Sequence, residues 1–190
     1  MISRIKISFA LVALFVLTFL SVKAFADDRI LRPYKVDIKL GYAHSSASSL
    51  IPGQAISQKF GIAFSVEPKY GFTDNFWIGL RLEAAAISIQ TDPFVGIGIG
   101  STLLTGEYSL LVTKDFRPFI GLGLGPYFQK GIYKNSNDDP NNNFVTNIGF
   151  APRIGFEYRH FCLGIEYNII QDSFDYFGFK LGFLIGGNKD

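Results

Sequence analysis

The sequence predicts an all-β fold, an eight-stranded antiparallel up-and-down transmembrane β-barrel. Hydrophobic residues make up 48% of the 190-residue chain, which also contains 20 Phe and 20 Gly. Apolar side chains recur at every second position through most of the chain, the period of a strand whose two faces meet different surroundings. After residue 26, however, no charge-free apolar run reaches the ~18 residues that a membrane-spanning helix needs. Together these observations favour spanning strands over spanning helices.

The first 26 residues form a predicted secretory signal peptide, which leaves residues 27–190 as one barrel domain. Arg4 and Lys6 precede the apolar run 7–20, and Ala24-Phe25-Ala26 supplies an A-x-A cleavage site. We therefore expect an exported chain that is cleaved before Asp27.

Charge and cysteine content exclude two classes of protein. Residues 1–26 hold three basic residues and no acidic one, so the remainder has 15 Lys+Arg against 16 Asp+Glu. A near-neutral domain gives no reason to expect nucleic-acid binding. Cys162 is the single cysteine, so an internal disulfide framework is also excluded.

The first part of the chain alternates clearly. Phe60, Ile62 and Phe64, for example, are separated by the small residues at 61, 63 and 65. In order, we expect strand one at 34–42, a Ser-rich loop at 43–58, strand two at 59–72, a tight turn at 73–75 and strand three from 76. Thr73-Asp74-Asn75 has the residue types that turns favour.

The alternation changes parity in the middle of the chain. After residue 86 the apolar side chains occupy odd positions, such as Ile87, Ile97 and Ile99, and they return to even ones from Leu104. Bulges, or a second long loop around 90–100, would each produce this change. The register of residues 84–104 stays open, with strand four expected at 102–112.

The last part of the chain gives four further strands. We expect strand five at 116–128, a polar loop at 130–143, a hairpin at 147–168 around the turn Arg159-His160, a loop at 170–175 and strand eight at 176–185. Pro68, Pro126 and Pro152 lie inside these strands, where each removes a ladder hydrogen bond. Bulges are one way to accommodate them, and Pro152 has no firm explanation from sequence.

Two predicted hairpins each place opposite charges across from one another. Tyr158 opposite Phe161 sets Arg153 opposite Glu166, and Phe72 opposite Phe76 sets Glu67 opposite Arg81. The same face carries four other charges: Glu83, Glu107, Glu157 and Lys180. This face should line the lumen, because a basic residue facing mid-membrane lipid costs about 2–4 kcal/mol. A plug of mutually paired charges is favoured over a gated polar pathway, since unpaired buried charge is costly.

The pattern resembles the small eight-stranded outer-membrane β-barrel family, of the outer-membrane protein A/X-like or opacity-protein-like type. The segments that carry the resemblance are EPKYGFTDNFWIGLRLE (67–83), RPFIGLGLGPYF (117–128), APRIGFEYRHFCLGIEY (151–167) and FGFKLGFLIG (177–186). The resemblance implies the bacterial outer membrane and a structural or surface-interaction role. We expect no enzymatic activity, cofactor, metal or peptidoglycan-binding module.

The expected partners follow from that location. They are outer-membrane lipid and lipopolysaccharide, the barrel-assembly machinery and periplasmic chaperones during insertion, and a surface ligand held through loops 43–58 and 129–143. Two alternatives stay open. One is a lipid A acyl-chain modifying enzyme that uses His44, which is followed by Ser45 and Ser46. The other is a narrow pore for small solutes.

Overall fold

The chain folds into a closed barrel in which each strand pairs with its sequence neighbours and the first pairs with the last. The computed structural model describes residues 33–45, 60–91, 94–110, 113, 115–133, 144–173 and 175–187. All pairings are antiparallel. The described strands are β1 (Tyr34–Ser45), β2 (Phe60–Gly71), β3 (Phe76–Thr91), β4 (Phe94–Ser109), β5 (Phe116–Tyr133), β6 (Val145–Tyr158), β7 (Phe161–Ile170) and β8 (Tyr176–Gly186). The predicted fold class is confirmed.

The described residues contain no helix that is long and apolar enough to cross a membrane. The predicted signal peptide, residues 1–26, lies outside the described residues.

The connections β2–β3, β4–β5 and β6–β7 lie at one end of the barrel, which we call the turn end. The opposite end, which carries the two longest connections, β1–β2 and β5–β6, is the loop end. The β6–β7 turn is the predicted pair Arg159-His160, with Tyr158 opposite Phe161. Arg159 adopts a positive φ of 53°, which is uncommon for a residue other than glycine. Two backbone hydrogen bonds hold this turn against the neighbouring strands. Arg159 N–H donates to the Asp115 carbonyl at 2.8 Å, and Leu184 N–H donates to the His160 carbonyl at 2.6 Å.

The parity change in the middle of the chain is not a loop. Residues 76–91 and 94–109 are two continuous strands, so the predicted loop at 90–100 and the predicted start of strand four at 102 are wrong. The β3–β4 register shifts only between Ser88 and Thr91. Ile87, Ile97 and Ile99 are buried, on the same inward face as the odd-numbered residues before and after them. Successive residues still point alternately inward and outward there, but the apolar side chains are now the inward ones and the small side chains the outward ones.

Two other loops begin later than predicted. β1 continues to Ser45 and β5 continues to Tyr133, so residues 43–45 and 130–133 belong to the barrel wall. The remainder of these predicted loops, 46–58 and 134–143, lies outside the described residues. β4 ends at Ser109 rather than at residue 112.

The strand prolines are accommodated without bulges. Phe150 pairs with Ile169 and Arg153 with Glu166, so the β6–β7 register is the same on both sides of Pro152. On its other side, Pro152 pairs with Leu122 of β5. A residue in a strand directs its N–H to one neighbour only, so proline interrupts one ladder and leaves the other intact. Pro68 and Pro126 behave in the same way.

The two faces of the wall differ as the sequence suggests. Outward residues such as Leu40 (61% exposed) and Leu104 (62% exposed) cover the outside of the barrel. Inward residues such as Arg81 and Lys180 are almost fully buried. Charge is therefore concentrated inside and apolar surface outside, the reverse of a water-soluble barrel.

Candidate functional site

Among the residues that the structure describes, thirteen charged side chains are buried in the lumen; we call them the lumen network. Its members are Lys35, Asp37, Lys39, Glu67, Lys69, Arg81, Glu83, Glu107, Arg117, Arg153, Glu157, Glu166 and Lys180. All eight residues predicted from sequence are among them. The other five, at 35, 37, 39, 69 and 117, share the same inward parity. Their alternation with the outward apolar residues of the same strand was therefore the signal that could have identified them.

The larger part of the lumen network lies toward the turn end and is centred on Glu107. This carboxylate contacts Lys35 Nζ at 3.2 Å, Lys69 Nζ at 2.7 Å and Arg153 Nη2 at 3.2 Å. Lys35 continues to Glu157 at 2.5 Å, and Lys69 continues to Asp37 at 2.6 Å. Each basic side chain thus bridges carboxylates carried by different strands.

The smaller part lies toward the loop end and consists of Arg81, Glu83, Glu166 and Lys180. Lys180 Nζ contacts both Glu83 and Glu166 at 2.5 Å, and Arg81 pairs with Glu166. Hydroxyl and amide groups extend this part further: Tyr176 Oη donates to Glu83 at 2.8 Å, and Tyr127 Oη donates to Asn168 at 2.8 Å. Its two cations and two carboxylates balance.

The predicted ion pairs are exchanged in the structure. Arg153 lies opposite Glu166 in register, yet its guanidinium donates to Glu67 at 2.6 and 2.7 Å. Arg81 pairs with Glu166 instead of Glu67. The strands are part of a closed, narrow barrel, so long side chains reach across the lumen to a carboxylate on a distant strand. The predictions of Glu67–Arg81 and Arg153–Glu166 pairs are therefore wrong, although the residues are all in the lumen network.

A double-mutant cycle tests this exchange. We expect Arg153→Met and Glu67→Gln to be coupled by about 1–3 kcal/mol in the free energy of unfolding, because the two side chains share two hydrogen bonds. Arg153→Met and Glu166→Gln should show less than half of that coupling, because these cross-strand neighbours each pair with a different partner. Urea unfolding of the folded barrel measures all variants. Stronger coupling of Arg153 to Glu166 than to Glu67 would restore the pairing that register alone predicts.

Two buried clusters of apolar side chains share the lumen with the lumen network. At the loop end, a buried cluster comprises Ala43, Ala63, Ala85, Ile87, Ile97, Ile99, Leu103, Tyr127, Ala151, Ile170 and Tyr176. At the turn end, Phe119, Cys162 and Leu184 form a second cluster, and Lys35 Nζ lies 4.2 Å from the centre of the Trp77 ring. We call these the loop-end cluster and the turn-end cluster.

The glycine-rich β5 makes room for the lumen network. A Cβ atom at Gly121 would lie 2.8 Å from Arg153 Nε, so a larger residue there would displace the guanidinium. The G-x-G stretches at 96–100 and 121–125 lie within β4 and β5. They are part of the barrel wall.

The structure separates the residues considered for enzymatic chemistry. The His44 ring is on the outer face, 3.4 Å from Tyr42 Oη. Ser45 is buried on the inner face, where its hydroxyl donates to the Asp175 carbonyl at 3.4 Å. Adjacent residues of a strand point to opposite faces, so His44 and Ser45 cannot act together. Ser46 lies outside the described residues.

Comparison with solved structures shows the same fold. Neisserial surface protein A has a TM-score of 0.59 at 14% identity, over 82% of this chain and 98% of that one. OprG of Pseudomonas aeruginosa gives 0.57 at 14%, over 84% and 100%. Ail of Yersinia pestis, in complex with the heparin analogue sucrose octasulfate, gives 0.51 at 14%, over 81% and 100%. No family model and no curated protein matches the chain. The chain therefore has the fold of the small eight-stranded outer-membrane barrels.

Proposed function

We propose that this protein is an integral barrel of the bacterial outer membrane with a sealed lumen, acting in envelope structure or in surface contact. The observation that carries the proposal is the lumen network: buried charges that are paired across the interior, with the apolar loop-end cluster between them and one end of the barrel. With a sealed interior, the outer wall and the loop end are the surfaces available for interactions.

The outer wall supports the membrane location. Aromatic rings lie against one another near the turn end: Tyr34 and Tyr70 are 5.1 Å apart, and Phe161 and Phe183 are 5.8 Å apart. Outer-membrane barrels have such aromatic girdles where the apolar band meets water. Exposed apolar residues on all eight strands lie farther along the same face.

A non-enzymatic role is the favoured form of this proposal. Acyl-chain hydrolysis needs a base within hydrogen-bond reach of the group that it activates. The described contacts of His44 are to Tyr42 on the outer face, whereas Ser45 points into the barrel. These positions give no support to an enzyme that uses His44.

The partners proposed for this role follow from the same surfaces. Outer-membrane lipid and lipopolysaccharide would contact the outer wall, and the barrel-assembly machinery with periplasmic chaperones would deliver the chain. A surface ligand would be held by the β1–β2 and β5–β6 connections, which belong to the loop end. In outer-membrane barrels this end faces outward, because short turns are periplasmic.

Conductance measurements test the sealed lumen. We expect the purified barrel to give no steady single-channel current in a planar bilayer, because ions would have to cross the loop-end cluster and the lumen network. A general porin in the same bilayer is the positive control. A reproducible conductance from the folded protein, absent after heat denaturation, would contradict the seal and favour the narrow pore.

A further inference from the structure

The outer wall has a groove that the proposed function does not use. It lies over Pro152, has a volume of about 600 Å³, and is lined almost wholly by apolar surface. Its walls come from four adjacent strands and include Leu122, Ile154, Ile165, Tyr167 and Phe177. This size and lining are those of a site for an apolar ligand.

The groove coincides with the interruption in the β6–β7 ladder. Pairing stops after Phe150–Ile169 and resumes at Arg153–Glu166, so Ala151 and Pro152 are not paired with β7. Parts of Arg153 and Glu166, which belong to the lumen network, reach the groove floor. A compact proline between larger outward residues, Phe150 and Ile154, leaves the space open. The cavity is therefore built by the strand proline.

The position of the groove restricts what can occupy it. It is continuous with the exposed apolar face of the barrel, so its occupant must be apolar and must arrive from within the membrane. Pro152 lies near the middle of β6, whereas Tyr167 and Phe177 lie near the loop ends of β7 and β8. Ile120, Ile154 and Ile165 line the groove on the turn side of Pro152, so it crosses mid-wall and reaches the loop end at Phe177. With the loop end outward, that part of the groove lies in the outer leaflet, which is made of lipopolysaccharide.

We propose that the groove over Pro152 holds one acyl chain of lipopolysaccharide. This inference rests on the proposed membrane location. An acyl chain is flexible, apolar and narrow enough to lie along a groove between outward side chains. Burial of its methylene groups supplies the free energy of binding.

Photo-cross-linking in cells tests the proposal. p-Benzoylphenylalanine would replace Phe177, which lines the groove, or Phe60, which does not. Both are outward phenylalanines at the loop end, and both lie opposite His44 in the register. We expect about fivefold more lipopolysaccharide adduct at position 177 than at 60, since a held chain stays beside the probe. Filling the groove with Pro152→Phe should lower the adduct at 177 to that at 60.

The outcomes separate the two proposals. Equal lipopolysaccharide adducts at both positions would overturn the groove and leave the membrane location intact. A phospholipid, a second copy of this chain or another protein as the main adduct at 177 would also overturn it. No lipid adduct at either position would contradict the membrane location itself. If Pro152→Phe prevents folding, the comparison of the adducts at positions 177 and 60 in the otherwise native barrel still tests the proposal.

Discussion

Glu107→Leu is expected to lower the free energy of unfolding by about 3–5 kcal/mol, the cost of leaving buried charge uncompensated. Glu107 contacts Lys35, Lys69 and Arg153, and it is almost fully buried. The turn-side part of the lumen network has five cations (Lys35, Lys39, Lys69, Arg117, Arg153) and four carboxylates (Asp37, Glu67, Glu107, Glu157). Loss of one carboxylate increases an existing positive surplus.

Lys69→Met provides the matched comparison. Lys69 is buried to the same degree and also contacts two carboxylates closely, Asp37 and Glu107. Its removal leaves four cations against four carboxylates, so we expect less than half the effect of Glu107→Leu. Asp115→Asn is the exposed control: its pair with Arg159 is 3.5 Å long with both side chains more than half exposed, and such pairs contribute about 0–1 kcal/mol.

Trp77 fluorescence during urea unfolding measures all three variants. Trp77 is the single tryptophan, and it is buried inside the barrel, so unfolding moves it into water. An effect of Lys69→Met equal to or larger than that of Glu107→Leu would show that the charge surplus does not control the stability of the lumen network.

Leu40→Arg should destabilise the folded barrel by about 2–4 kcal/mol, the cost of a basic side chain facing lipid at the bilayer midplane. Leu40 is an exposed outward residue in the middle of β1. Tyr34→Arg, on the same face at the turn end of that strand, should cost only about 0–1 kcal/mol because the side chain reaches the interface.

Unfolding in lipid vesicles compares the two β1 variants. If the outer wall is in lipid, the loss of unfolding free energy will be larger at position 40 than at position 34. A wall in water would tolerate both substitutions. Equal small effects at positions 34 and 40 would therefore contradict the membrane location.

The hairpin 147–168 shows what local pattern was sufficient to predict. Alternation and the two-residue turn determined its strands, and the register of Tyr158 with Phe161 is confirmed. Its side-chain partners were not predictable in this way, because Arg153 bonds to Glu67 on a strand that is far away in sequence. Register relates neighbouring strands only, while contacts across a lumen depend on closure of the whole barrel.

The middle of the chain shows why apolar parity alone can mislead. Ile87, Ile97 and Ile99 gave the signal of a register slip, but they are buried inside the loop-end cluster. Sequence parity reports which face is apolar, and it assumes that the apolar face stays outward. At the loop end of β3 and β4 this assumption fails, because the lumen there is filled by apolar side chains.

Local sequence pattern was enough to predict the strand number, the direction of the two faces and eight of the thirteen charges of the lumen network. These follow from the two-residue period and from the cost of charge in lipid. The pairing of the charges, the two apolar clusters of the lumen and the groove over Pro152 become visible only in the folded barrel. Each of those depends on the distance between strands remote in sequence, which is fixed when β1 pairs with β8.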